Sequence, residues 1–218
     1  MLMNNDVTKR VVIRPEDYRW TTTEAESTQH TLLDQSGIDG ERATMIVRYP
    51  ADAVLVQPSP AGGEEFLVLE GALSDEWGAY PVGTYVRSPA GRSRRRQVGE
   101  NGATVFIKRG QLAEHDSAGI HIDTSKTPWH LGQVPGLSVM PLHSFEGEHA
   151  ALVKWAPYTE FVPHRHFGGE EIYVLQGTFH DEHGVYPAGS WLRSPHLSAH
   201  HPFTKEDGAL IYVKTGHL

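Results

Sequence analysis

The sequence contains no cysteine. That absence removes disulfides, thiolate nucleophiles and cysteine-bound zinc at one stroke. No apolar run is long enough to span a bilayer. The amino-terminal stretch "MLMNNDVTKRVVIRPEDY" lacks the apolar core of a secretion signal. The expectation is a soluble, cytoplasmic protein with no membrane partner. Basic residues are in the minority: 19 Lys and Arg face 27 Asp and Glu, a formal net charge of −8. Nucleic-acid binding depends on neutralising phosphates with Lys and Arg, so no nucleic-acid partner is expected. No segment sustains a helical period of apolar residues. What is plentiful is histidine, with 14 in the chain. Imidazole is the commonest metal ligand among side chains.

The chain is written twice. Residues 44–110 lie over 150–216 without a gap, at an offset of 106. "GGEEFLVLEG" falls on "GGEEIYVLQG", and "SDEWGAYPVGTYVRSP" on "HDEHGVYPAGSWLRSP". "ENGATVFIKRG" falls on "EDGALIYVKTG". The leaders around Trp20 and Trp129 also correspond, after a shift of a few residues. The expected division is 1–112 and 113–218.

Each copy reads as short strands. "TMIVRY", "EFLVLEG", "TYVRSP" and "ATVFIKR", with their counterparts, are β-branched and aromatic and are bounded by Gly and Pro. Evenly spaced short strands indicate an all-β sandwich or barrel of the jelly-roll kind. The Pro-x-Gly of each copy is a turn device, because proline presets φ and glycine accepts a positive φ.

The second copy carries "VPHRHFGGEEIYVLQG". His164 and His166 are two apart, so in a strand their imidazoles share a face. The "FGG" turn can return Glu170 to the same point. Further on, "SPHLSAHHPF" holds His200 and His201, whose side chains diverge in an extended segment; one of them is expected to join the cluster. Three imidazoles and a carboxylate suit a borderline divalent metal such as zinc, iron, manganese, nickel or cobalt. The alternative is a set of packed or solvated histidines, disfavoured because burying ionisable groups together is costly unless something pairs them.

These residues carry a family resemblance. His164-x-His166-x₃-Glu170-x₆-Gly177 resembles the first cupin motif. "GGEE", "VLQG", "YPAGSWLRSP" and "HHPF" look more narrowly like the cupin domain of ChrR-type anti-sigma factors. The resemblance covers nearly the whole second copy and the frame of the first. It implies two tandem cupin (jelly-roll β-barrel) repeats, a bicupin. It also implies one divalent metal per chain, zinc first and iron, manganese or nickel as alternatives, held by His164, His166, Glu170 and His200. In that group the last ligand is a histidine thirty residues after the glutamate, which selects His200. ChrR-type proteins also carry a helical zinc domain rich in Cys and His that grips the sigma factor, and this cysteine-free chain offers no counterpart. The Pro187-Ala188-Gly189 turn, moreover, is not followed by the histidine of the usual second cupin motif.

The implied function is a regulatory or sensory metal-binding module without the sigma-binding helical zinc domain. The alternative is a metal-dependent enzyme, a small-molecule dioxygenase or hydrolase. The partner is then a small molecule or a protein, and a homodimer is left open.

In the first copy Pro58 and Pro60 stand where the other has His164 and His166, Glu64 matches Glu170, and Arg94 matches His200. One remaining carboxylate does not hold a transition metal. Two readings of Arg94 stay open: a buried ion pair with Glu64, or membership of the solvated run "GRSRRRQ". His180 and His183 are expected at the surface, and His196 and His201 at the rim of the cluster. Tyr186, Trp191 and Tyr212 are expected in the core. His30, His115, His121, His130, His143 and His149 show no ligand spacing.

Overall fold

The computed structural model describes residues 3–23, 27–37, 41–57, 60–91 and 94–218, with the side chains of Gln57 and Arg94 also outside the description. Apart from one turn of 3₁₀ helix at Pro15–Asp17, the described residues form strands, turns and loops. No helix among them is long and apolar enough to cross a membrane.

Two compact units emerge, and each builds one large antiparallel sheet. In the first, Thr84–Ser88, Glu64–Asp75, Arg94–Arg109, Arg42–Tyr49 and Thr28–Ser36 follow one another across the sheet. In the second the order Trp191–Ser194, Glu170–Asp181, Phe203–Thr215, Glu148–Trp155 and Leu137–Phe145 repeats it. The registers repeat as well. Glu64 sits between Ser88 and Arg109, and Glu170 between Ser194 and Thr215.

The long central strand of each unit is bent by bulges at matching places, Val68/Glu70 and Gly71/Leu73 in one, Val174/Gln176 and Gly177/Phe179 in the other. Extra residues at a bulge bend a strand and raise its twist, which lets one strand serve two walls of a barrel. Glycine is required there. Gly177 has φ 70°, and a Cβ on it would lie 2.3 Å from the Gly208 carbonyl oxygen; Gly71 has φ 68° and an even closer approach to Gly102. This is why "VLEG" persists in the copy that has no histidine pair.

Alternate residues of the bent strands fill the barrel interiors. Phe66, Val68, Leu73 and Tyr80 in the first unit match Ile172, Val174, Phe179 and Tyr186 in the second. The opposite face of the same strands is buried too, and it carries charged groups among its aromatic side chains. Glu65 lies across from Arg87 and Lys108, and Glu171 from Arg193 and Lys214, all at most 2% exposed. Tyr85 donates to Glu65 (2.6 Å) and Trp191 to Glu171 (3.0 Å). Arg87 pairs with Asp116 (2.7 Å) and Lys214 with Glu148 (2.8 Å). Buried charges persist only when paired and hydrogen-bonded, so the second Glu of each "GGEE" is accounted for by the fold.

By packing, one unit comprises Met1–Asn5 and Arg19–Thr127 and the other Asp6–Tyr18 and Pro128–Leu218, so that the leading segment Asp6–Tyr18 is grouped with the second copy. The reason is edge pairing. Val11–Ile13 adds to Trp191–Ser194 of the second unit, and Ile120–Asp123 adds to Thr84–Ser88 of the first.

Candidate metal centre

His164 lies on a two-residue strand, His164–Arg165, paired with Ala199–His200 so that His164 and His200 face each other directly. The backbone N–H of His166 donates to Ser198 (3.0 Å), and that of Leu197 donates back to His166 (2.8 Å), which carries the pairing through the turn. Gly168 and Gly169, at φ 75° and 73°, reverse the chain and start the strand Glu170–Asp181 with its first carboxylate. His196 Nδ1 accepts from the Gly168 N–H at 2.8 Å, so this rim histidine braces the turn.

The result is a compact cluster. The three imidazole centroids form a near-equilateral triangle, with separations of 4.7, 4.8 and 4.8 Å. One ligand atom from each of His164, His166, Glu170 and His200 lies within 4.8 Å of the others. Glu170 Oε2 is 3.4 Å from His166 Nε2 and 3.7 Å from His200 Nε2. His201, next in sequence, turns away and meets Glu160 at 2.7 Å. The structure thus brings the four expected residues together and leaves His201 at the rim.

The donor set fits a cation. His166 Nε2 and His200 Nε2 are buried with no hydrogen-bond partner, which is costly for a polar atom unless an ion takes the lone pairs. The tautomer of His164 is fixed in the sense that ligation needs. His164 Nδ1 contacts the Val162 carbonyl at 2.9 Å, so that nitrogen carries the proton and Nε2 is left as the donor. Burial holds the His166 imidazole down at about 3, with the neighbouring histidines adding to the shift. Burial likewise lowers His164. Both rings are neutral, the state that binds metal. Burial pushes Glu170 up to about 7, against the pull of His200; a cation at the triangle is what its carboxylate lacks.

A cavity of about 170 Å³ opens beside the cluster. Leu137, Val153, Trp155, Phe161, Ile172 and Phe179 form its apolar walls, while His164, Glu170 and His200 supply one side. Among the described residues no Lys or Arg lines it, and Gln133 is the remaining polar group.

Sequence reasoning missed one element of the centre. Asp181, with a side chain wholly buried, faces His200 Nδ1 at 3.5 Å and pairs with Arg10 at 2.6 Å. Burial raises its carboxyl, but hydrogen bonds from His200 and Tyr186 and the charge of Arg10 outweigh that and hold it at about 2. The Asp–Tyr pair occurs in both copies, since Tyr80 donates to Asp75 at 2.5 Å and Tyr186 to Asp181 at 2.7 Å; it therefore reads as framework, and Arg10 is 171 residues away from its partner. His180, expected at the surface, is buried and stacks on Phe203 at 5.2 Å because its strand pairs there.

In the first unit the place of the cluster is taken by an ion pair. Glu64 Oε1 meets Arg96 Nη1 at 2.6 Å, and Arg109 Nε lies 3.6 Å from Oε2. Pro58 and the side chain of Arg94 lie outside the described residues. Among the described side chains the guanidinium groups beside Glu64 are those of Arg96 and Arg109, and the pairing of Glu64 with Arg94 expected from the repeat lies outside them. Pro60 replaces a ligand but keeps its backbone role: Gly63 N–H donates to Pro60 at 2.9 Å, as Gly169 does to His166 at 3.3 Å.

Two tandem jelly-roll barrels, one with a three-histidine, one-glutamate cluster inside, define a bicupin. The chain belongs to the ChrR cupin-like domain family, whose sequence pattern matches it twice, over residues 8–113 and 117–218. No sequence match to a curated protein is found. Solved structures with the same fold include a candidate dioxygenase from Nostoc punctiforme, at 16% identity and TM-score 0.81 over 97% of this chain and 84% of that one. A candidate glyoxylate-induced protein from Pseudomonas aeruginosa matches at 13% identity and TM-score 0.74, over 98% and 90%. Oxalate decarboxylase from Lactobacillus farciminis matches at 10% and 0.69, over 95% and 86%.

Proposed function

We propose that the second barrel holds one divalent transition metal on His164, His166, Glu170 and His200 and acts on a small, uncharged, largely apolar organic molecule. The observation that carries this reading is the cavity, which reaches three of the four ligand residues. A metal serving only as a staple is closed by its protein ligands, whereas a reactive one keeps a side open. A bound metal would supply Lewis acidity and, if redox-active, a site for oxygen chemistry.

The chain's own residues do the rest. Glu170 brings a negative charge that offsets the cation. The Val162 carbonyl fixes the tautomer of His164. The walls of Trp155, Phe161 and Phe179 exclude water, which strengthens every electrostatic interaction inside. A dry cavity of about 150 Å³ lined by Leu, Ile and Phe is enough to bind benzene, so this one suits a body of about six carbons. With no cationic side chain on the described walls, recognition of a second charged group is disfavoured.

A regulatory reading is favoured by membership of the ChrR cupin-like family: the same centre would report a small molecule or oxidant to a protein partner. Zinc suits that role, and iron or manganese suits the enzyme.

The test is elemental analysis after chelator-free purification, followed by cobalt substitution and titration with alkyl hydroxamic acids. Visible bands that shift on binding, with affinity rising about fourfold per added methylene and collapsing when the chain ends in a carboxylate, support the enzyme reading. A loaded protein whose spectrum no ligand moves has a closed centre, and the enzyme reading is then wrong.

A further inference from the structure

We infer that the segment Asp6–Tyr18 is a working part of the metal centre, in which Arg10 and Asp181 are positioning residues that set the orientation of His200. The inference rests on the reading of the cluster as a metal site.

The geometry is a relay. Arg10 Nη2 donates to Asp181 Oδ2 at 2.6 Å and to the Tyr186 hydroxyl at 2.7 Å. Tyr186 donates to Asp181 Oδ1 at 2.7 Å, and the His183 N–H to the same oxygen at 2.8 Å. Asp181 Oδ2 faces His200 Nδ1 at 3.5 Å. The Asp181 oxygen, an acceptor, favours the His200 proton on Nδ1 and so leaves Nε2, the orphaned atom, for the metal. A ligating imidazole is normally held this way by a partner on its other nitrogen, and loss of such a partner typically lowers metal affinity about 10–100-fold.

Arg10 is needed because two buried carboxylates, Glu170 and Asp181, flank one histidine, and each raises the cost of charge on the other. A guanidinium carries fixed charge and several donors, so it satisfies both Asp181 and Tyr186 at once. Its aim is set by the arm that carries it. Val11–Ile13 pairs residue for residue with Trp191–Arg193, Ile13 is buried, and the Tyr18 hydroxyl donates to the Gly189 carbonyl.

The first unit supplies an internal control. Its own arm, Ile120–Asp123, pairs with Arg87 just as Val11 pairs with Arg193, and Arg87 and Arg193 are equivalent in the repeat. Arg10 therefore corresponds to Gly119, which has no side chain to offer. There the ring of Tyr80 is met edge-on by His121 at 4.7 Å. The Asp–Tyr framework is present in both barrels, and at the arm position held by Arg10 in the second the first has Gly119.

The experiment is chelator competition on the full-length protein, comparing wild type with Arg10→Ala, Arg10→Lys, Asp181→Asn and Arg14→Ala. Arg14 sits on the same arm and also lies over Tyr186, at 5.8 Å, without touching Asp181. Affinity is measured at a temperature where each metal-free variant is folded. The expected result is a loss of about 10–100-fold for Arg10→Ala and Asp181→Asn, partial recovery with Arg10→Lys, and a change under about threefold for Arg14→Ala. The cobalt spectrum of Arg10→Ala should also differ from wild type, a change that weaker folding alone does not produce. If Asp181→Asn fails to fold, the Arg10 pair carries the test. A wild type that binds no metal overturns the reading of the cluster itself. A wild type that binds, with Arg10→Ala binding equally and showing the same spectrum, overturns only the role given to the arm.

Discussion

Replacing Arg96 by alanine probes the ion pair that stands in for the cluster in the first barrel. Glu64 and Arg96 are 9% and 12% exposed at the side chain and 2.6 Å apart. The guanidinium also lies over the Phe66 ring at 4.9 Å. Removing one half of a buried pair strands the other charge, at a typical cost of about 3–5 kcal/mol. Arg109 remains 3.6 Å from Glu64 and recovers part of that, so about 3 kcal/mol is expected. At a urea m value of about 2 kcal/mol/M, the transition midpoint falls by roughly 1.5 M. Hydrogen exchange over Arg94–Arg109 assigns the loss to the first barrel, a safeguard because two units need not unfold as one. Arg95 is the control: it is exposed, and Arg95→Ala should stay within about 0.5 kcal/mol of wild type. The double change Glu64→Gln with Arg96→Met should return to within about 1 kcal/mol, since uncharged replacements of a buried pair are often neutral. Equal, small effects for Arg96→Ala and Arg95→Ala would refute the buried-pair argument.

Plasma mass spectrometry should find one divalent metal per chain, because among the described residues such a cluster occurs in one unit; two per chain, or none, contradicts the assignment. His200→Ala should abolish most of that occupancy while His201→Ala, whose ring pairs with Glu160 at the surface, leaves it intact; the reverse order of effects exchanges the two roles. Metal binding should release close to one proton at pH 6, because Glu170 is pushed up to about 7 and must ionise, whereas His166, held at about 3, is already neutral. Apparent affinity then falls about tenfold per pH unit below 7; calorimetry in buffers of different ionisation heat that finds no proton release argues against it. In the metal-free form the contribution of Glu170 is lost as pH rises from about 4.5 to about 7, since a raised carboxyl favours the native state only while protonated. His166 works in the opposite sense, its contribution being present above about 6.5 and lost as pH falls towards 3. Thermal melts across pH with and without metal should therefore diverge above pH 6; parallel curves would show that Glu170 is not the titrating group.

Much of this protein was legible in the order of its residues. The offset of 106 predicts two equivalent sheets, and the registers of Glu64 and Glu170 repeat as that offset requires. Such features are local or periodic: alternation places side chains on faces, Gly-Gly turns reverse the chain, and His164-x-His166 has two imidazoles on one side before any tertiary contact forms. Choosing His200 over His201 followed from the same alternation together with a family spacing. The tertiary structure decided what depends on residues far apart in the chain. Arg96 and Arg109 reach Glu64, because the direction of a long guanidinium is set by the space around it and not by its position in a repeat. His180 is buried because its strand pairs with Phe203. The units exchange their leading strands, which no periodicity encodes, and so Arg10 finds Asp181 across 171 residues of chain. Backbone pattern determines which atoms a segment can present, and packing determines which distant charge meets them.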